Sequence, residues 1–167
     1  MAWQTKIPAR LIDFENKVHP NTNYCIGVKM ISSGGGAGTW VRIDENDNII
    51  DLDNKDLYFK RHPIYSVLER EYQLDGNQIM VKIPKFYIRT DEGQRFWIAP
   101  DPTNEEMSDE ENKSAVDALK KKGFRLHPAF YKKNGDEVSH FFIGAYQGSI
   151  YGQVCCSEPN QFPTANL

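Results

Sequence analysis

Apolar and polar positions alternate along much of this chain. The alternation is interrupted by short clusters of Gly, Asn, Asp and Pro. That pattern predicts strands joined by tight turns. Residues 24–31 read as a strand, the glycine-rich residues 32–38 as the loop after it, and residues 39–43 as a second strand. A turn over residues 44–48 then leads to a return at 49–52. Residues 64–72 fit a short helix or a strand, and Asp75-Gly76 marks a turn. Residues 80–90 read as one strand, with Val81 and Ile83 on one face and Met80, Lys82 and Pro84 on the other. Pro84 cannot donate to a ladder, so that strand is expected at an edge or bulged there. Asp91-Glu-Gly93 turns the chain into a partner strand over 94–98.

One segment reads clearly as a helix. Ser108 and Glu111 have capping-box spacing, and Asp109, Glu110 and Glu111 suit a helix N-terminus. Lys120, Lys121 and Lys122 suit its C-terminus, with Gly123 just beyond. Ala115, Val116 and Leu119 give a narrow apolar stripe, so the helix is expected on the surface, packed by one edge. Residues 124–131 read as a strand. Asn134-Gly135 is a strong hairpin signal, with residues 138–143 returning as the partner.

The expected fold class is α+β, rich in antiparallel β-hairpins, with one surface helix and a small β-rich region before it. The expected division is linear: an arm and β-rich attachment region over 1–60, the hairpin-and-helix portion over 61–152, and an irregular tail over 153–167. Within the arm, Trp3, Ile7, Leu11, Ile12, Phe14 and Val18 follow no clear period, while Pro8 and Pro20 break any regular element. So much apolar content is expected to dock, on its own domain or on a neighbouring subunit.

Composition narrows the function. With 167 residues, 40% of them hydrophobic, the chain can build a core. The net charge of −3 is spread without a basic face, so neither nucleic acid nor an anionic membrane is an expected partner. No apolar run approaches the ~20 residues of a membrane span, and residues 1–10 lack the apolar core of a secretory signal.

No catalytic constellation emerges. Cys25, Cys155 and Cys156 make no disulfide framework, and the adjacent pair lacks the spaced second pair of a zinc site. They read as thiols, mostly buried. His19, His62 and His127 each precede proline, and His140 stands alone in an aromatic stretch. Asp44, Asn46 and Asn48 mimic the start of an EF-hand loop, but Ile49 replaces the sixth-position glycine and Lys55 the final glutamate. Turn chemistry explains those residues more simply. The glycine-rich loop lacks both the Gly-Lys-Ser/Thr ending of a P-loop and the spacing of a dinucleotide fingerprint. No cofactor and no metal are expected.

Three stretches carry a resemblance: Met80-Val-Lys-Ile-Pro-Lys-Phe-Tyr-Ile88, Gly123-Phe-Arg-Leu-His-Pro-Ala-Phe130 and Phe141-Phe-Ile-Gly-Ala-Tyr-Gln-Gly-Ser149. Together they resemble the opening of phage and prophage tail-fibre or receptor-binding proteins. Those proteins look like members of the C-type-lectin fold in the formylglycine-generating-enzyme lineage. The likeness spans about residues 60–152, and Gln147 stands where the lineage usually has Glu. The family's catalytic cysteines and variable binding residues lie in a later part of its core. None therefore transfers to a position here, as expected for a shortened relative or the proximal part of a longer protein.

The resemblance implies a non-enzymatic virion component, in or near the tail fibre, that attaches through multivalent weak contacts. Expected partners are further copies of the chain, with a trimer favoured, other virion proteins, and a host-surface glycan or protein. A capsid decoration or head-fibre protein and a carbohydrate-binding module are the alternatives. The candidate contact residues are Trp3 in the arm and two aromatics expected to be exposed, Trp97 and Tyr151.

Overall fold

The computed structural model describes residues 25–34, 36–50, 59, 62–68, 71–74, 78–151 and 154–160, with backbone alone at 151 and 154. The described part is α+β: ten strands in two sheets and one α-helix. The strands are β1 (Ile26–Ser32), β2 (Thr39–Ile43), β3 (Glu71–Leu74), β4 (Gln78–Pro84), β5 (Phe86–Asp91), β6 (Arg95–Pro100), β7 (Arg125–Leu126), β8 (His140–Gly144), β9 (Gly148–Tyr151) and β10 (Val154–Ser157). The helix, α1, spans Asp109–Lys121.

Contacts divide the chain into two compact units, each assembled from separated segments. Met1–Pro63 with Lys85–Pro128 form one; Ile64–Pro84 with Ala129–Leu167 form the other. The expected division was linear, whereas these units interleave along the chain.

The first unit holds an antiparallel sheet in the order β2-β1-β6-β5-β7. The glycine-rich loop joins β1 to β2, as its composition predicts. β5 and β6 form the expected hairpin, in a register running from Phe86↔Pro100 to Asp91↔Arg95. One row of paired residues crosses four strands: Ile43, Gly27, Trp97 and Arg89. Side chains alternate faces along a strand, so this row and the next lie on opposite sides. The buried residues Ile43, Tyr87, Trp97, Ala99 and Leu126 all share the parity of that row, which makes its side the core face.

The helix forms as its sequence predicts. The Ser108 hydroxyl accepts a hydrogen bond from the Glu111 amide at 3.3 Å, and the Ser108 amide donates to the Glu111 carboxylate at 2.9 Å. That box satisfies amides that the first helical turn leaves without internal partners. At the other end Gly123 takes φ +85°. Its amide donates to Lys120 O at 2.9 Å, and the Phe124 amide donates to Leu119 O at 3.1 Å. The pair of bonds is a Schellman motif, which glycine enters without a Cβ penalty. No helical residue is fully buried, in keeping with a surface helix.

In the second unit β4 is central. β3 pairs along one edge, β8 along the other, and β10 joins β4 in a parallel bridge at Ser157↔Gln78. β9 and β10 form a hairpin.

Four expectations need correction here. Residues 80–90 are not one strand. β4 ends at Pro84, paired with His140, and β5 starts at Phe86 with a different partner, Pro100. Pro84 has no N–H to extend the ladder, so the chain leaves one sheet there and enters the other after Lys85. Residues 124–131 hold only the two-residue β7 and a 3₁₀ turn, Pro128–Phe130. The missing N–H of Pro128 ends the ladder, and its fixed φ suits the turn.

The Asn134-Gly135 turn does form, with Lys132 N to Asp136 O at 2.7 Å and a bridge at Tyr131↔Glu137. The strand after it, however, pairs with β4 instead of returning along 124–131. Val81↔Ile143 and Ile83↔Phe141 are apolar cross-strand pairs within the five-residue ladder of β8 on β4. Finally, residues 154–157, expected in an irregular tail, form β10. The Ser157 hydroxyl donates to Ile79 O at 2.7 Å and accepts from the Tyr146 amide at 3.0 Å, tying that strand to two distant segments. Residues 64–72, read as helix or strand, supply both: a 3₁₀ turn at Tyr65–Val67 and the start of β3. Asp75-Gly76 and residues 51–52 lie outside the described residues.

Gly27 sits where the core is tightest. A Cβ there would fall 2.4 Å from Trp97 Cδ1 and Nε1 and 2.7 Å from Ile43 Cγ1. Gly27→Ala is therefore expected to destabilise the protein by roughly 1–3 kcal/mol through overpacking, measured by urea denaturation. An unchanged midpoint would mean that the indole does not fill the space over Gly27.

Candidate functional site

The two faces of the first sheet differ in what they do, and the difference locates the candidate site. On the core face, the Trp97 indole lies over Gly27 and donates from Nε1 to Asp44 O at 2.8 Å. The Arg89 guanidinium stacks on the indole, 3.9 Å from its centroid, and stands 5.0 Å from the Phe124 ring. It donates from Nη2 to Glu45 O at 2.8 Å and from Nη1 to Lys122 O at 3.3 Å. Lys122 Nζ meets the Glu45 carboxylate at 2.9 Å. The Arg89 group therefore ties β5, β6, the turn after β2 and the end of α1 together.

Asp44 organises that turn. Its Oδ1 accepts from the amides of Asn46 and Asn48 at 2.8 and 2.9 Å, and its Oδ2 accepts from Asn48 Nδ2 at 2.9 Å. These bonds are the turn chemistry that the Asp-rich sequence predicts, closed by Asp47 at φ 71°. Burial pushes the Asp44 carboxyl up. The hydrogen bonds from Asn48, through side chain and backbone, and from the Asn46 amide outweigh it and hold the pKa below the ordinary carboxylate value.

Cys25, just before β1, is buried, and its thiol is pushed up to about 12, first by burial and then by Glu45. At neutral pH it carries no nucleophilic thiolate. Cys155 is exposed and Cys156 buried, and all three are reduced. Among the described residues no three His, Cys, Asp or Glu side chains gather into a group that could hold a metal ion, and no helix is long and apolar enough to cross a membrane.

The opposite face presents a different row: Arg42, Val28, Phe96 and Thr90. Trp40, two residues before Arg42 and paired with Met30, shares this side. Trp40 is 39% exposed and Phe96 45%, and their ring centroids are 6.0 Å apart. The Trp40 Nε1 donates to Ala37 O at 2.7 Å, which fixes the indole and leaves its ring as an apolar plate. Phe59 lies over the Arg42 guanidinium, 4.5 Å from ring centroid to Cζ. Trp, Arg and Phe together are the composition of an interaction surface.

The predicted contact residues fare differently. Trp97 is only 2% exposed, so its expected role as an exposed contact is corrected: it is the packing centre of the first unit. Phe96 and Trp97 are neighbours on one strand and must face opposite ways. Sequence alternation alone did not tell which one points inward. Tyr151 ends β9, but its side chain lies outside the described residues, as does all of Trp3. Trp40 and Phe96 were missed. The available signal was the parity of Trp40 with Arg42, once Phe96 is set two strands away across Val28.

Comparison with known proteins adds no relative: no protein-family model, curated protein or solved structure matches the chain.

Two outcomes follow from this geometry. Trp97→Ala is expected to cost roughly 3–5 kcal/mol, while Trp40→Ala stays within about 1 kcal/mol; urea unfolding of both variants checks the register, and the reverse order would refute it. Because the folded-state pKa of Asp44 is depressed, its stabilisation is present above the ordinary carboxylate pKa and is lost as pH falls through the lower folded value. Asp44→Asn should flatten the acid limb of a stability-against-pH curve, and an unaltered limb would show that other carboxylates dominate it.

Proposed function

We propose that this protein is a non-enzymatic attachment module of a phage particle, in or near the tail fibre, acting through many weak contacts. The observation that carries the proposal is the fixed, exposed Trp40–Phe96 pair on the outer face of a sheet whose other face is a packed core. Aromatic side chains bury 150–250 Å² each, so the exposed parts of this pair amount to roughly 200 Å². A stable interface needs ~800 Å² per partner. One such patch therefore suits a weak contact, and copies held together would raise its effective concentration into useful avidity.

The three strand motifs that resemble tail-fibre and receptor-binding proteins supply the phage assignment. The C-type-lectin-like form of the fold belongs to the same proposal. Both rest on the stretches at Met80–Ile88, Gly123–Phe130 and Phe141–Ser149. A sugar-binding role is less favoured. The Trp40 indole N–H is already committed to a backbone carbonyl, and the outer face offers few other hydrogen-bonding groups.

The deciding measurement is the absolute molar mass of the full chain by light scattering after size exclusion. A stable trimer is expected. A clean monomer at all accessible concentrations would sink the fibre assignment and favour a decoration protein that assembles only on its lattice.

A further inference from the structure

The outer face of the first sheet contains a cation with no acidic partner among the described residues. Arg42 sits directly across Val28 from Phe96, in the same row and on the same side as the exposed Trp40–Phe96 pair. Neighbouring strands lie ~4.8 Å apart, which places the Arg42 and Phe96 backbones roughly 10 Å from one another. The guanidinium has the Phe59 ring over it. Its Nη1 is enclosed and has no hydrogen-bond partner. Several other cations of this unit are matched: Lys29 and Arg95 reach Asp47 at 2.9 and 3.5 Å, Lys85 reaches Asp101 at 3.8 Å, Lys122 reaches Glu45 at 2.9 Å, and Arg89 finds two carbonyls. Arg42 has no such partner among the described residues. The remaining polar members of this face, by register, are Thr90 and Arg125, and neither is acidic.

We propose that this face docks a polypeptide segment that carries a carboxylate among apolar side chains, the carboxylate pairing with Arg42 and the apolar groups covering Trp40, Phe96 and Val28. The proposal deepens the attachment function above and rests on it. Three observations converge. The ring pair offers apolar area with no polar group pointing outward, since the indole N–H is spent on Ala37 O. The guanidinium offers a positive charge, and carboxylates are its best-matched acceptors. Among the described residues of this face none is acidic, so an incoming carboxylate meets no like charge from them. A neutral sugar would satisfy neither the charge nor the aliphatic surface of Val28 and Met30.

The test uses the full chain and two probes, acetyl-Phe-Asp-Leu-Phe-amide and the same peptide with Asn for Asp, titrated while two-dimensional NMR follows the backbone amides of β1, β2 and β6. The Asp peptide is expected to bind about three- to tenfold more tightly than the Asn peptide, the range of one charge-assisted hydrogen bond at a half-exposed site. Arg42→Gln should remove that preference while leaving the weaker binding of the Asn peptide in place. Phe96→Ala should weaken both peptides. Equal binding of the two probes to the native chain, with Phe96→Ala still weakening both, would overturn the acidic preference and leave the attachment function standing. Saturable shifts confined to other strands, or no binding by either probe, would overturn the docking site itself, whatever molar mass the chain shows in solution.

Discussion

The first unit depends on one guanidinium. Arg89 stands against the faces of Trp97 and Phe124 and donates to two backbone carbonyls, Glu45 O and Lys122 O. Each carbonyl belongs to a different part of the chain: one to the turn after β2, the other to the C-terminal cap of α1. Hydrogen bonds to a charged group are worth roughly 1.5–3 kcal/mol each, and stacking on an aromatic face adds about 0.5–2 kcal/mol. The enclosed Nε, which has no partner, offsets part of that gain. Lysine could not replace it, because a point charge cannot lie flat on an indole and bond to two separated carbonyls at once.

The arrangement makes demands on its neighbours. The indole must lie low over the sheet, so its partner across the strands is Gly27, the residue without a Cβ. The helix must end sharply so that Lys122 O faces Arg89, and Gly123 at positive φ provides that end. The turn must hold Asp44 O and Glu45 O in place, which the Asp44 carboxylate does by binding the Asn46 and Asn48 amides. A rigid core face is what lets the opposite row of the same strands present Trp40 and Phe96 in a fixed geometry. The outer side carries the proposed contacts because the inner side buries Ile43, Tyr87, Trp97, Ala99 and Leu126.

The second unit is closed by nonlocal pairings. β4 takes neighbours from three places: β3 just before it, β8 about sixty residues on, and β10 at the end of the described chain. Ser157 gives the last of these its hold, with a hydroxyl that bonds to Ile79 and Tyr146 together. The Tyr146 hydroxyl donates to Glu71 at 2.9 Å, linking the segment after β8 to β3. Each unit is made from two separated stretches of sequence, so neither can complete its sheet from local contacts alone. Loop closure precedes the pairing that rewards it, which favours slow assembly.

What the sequence determined by itself was local. The capping box at Ser108–Glu111, the Gly123 helix stop, the Asn134-Gly135 turn, the Asp44 turn and the β5–β6 hairpin each depend on residues a few positions apart, and their chemistry is written in that spacing. The α+β class followed from the same short-range signals. Tertiary structure decided three other things. It chose Trp97 over Phe96 for the core, because a period-two strand with aromatics at both parities has no inward side until a partner such as Gly27 makes room on one of them. It paired β8 with β4 instead of with its sequence neighbour, because Phe141 and Phe142 find a longer ladder there. It joined Val154–Ser157 to the sheet of β4, because beyond the local hairpin with β9 the segment pairs at Ser157↔Gln78 and bonds to Ile79 O, almost eighty positions away. The exposed Trp40–Phe96 face belongs with these outcomes. It is the side left over once the core had been chosen, and no short window of the sequence contains that choice.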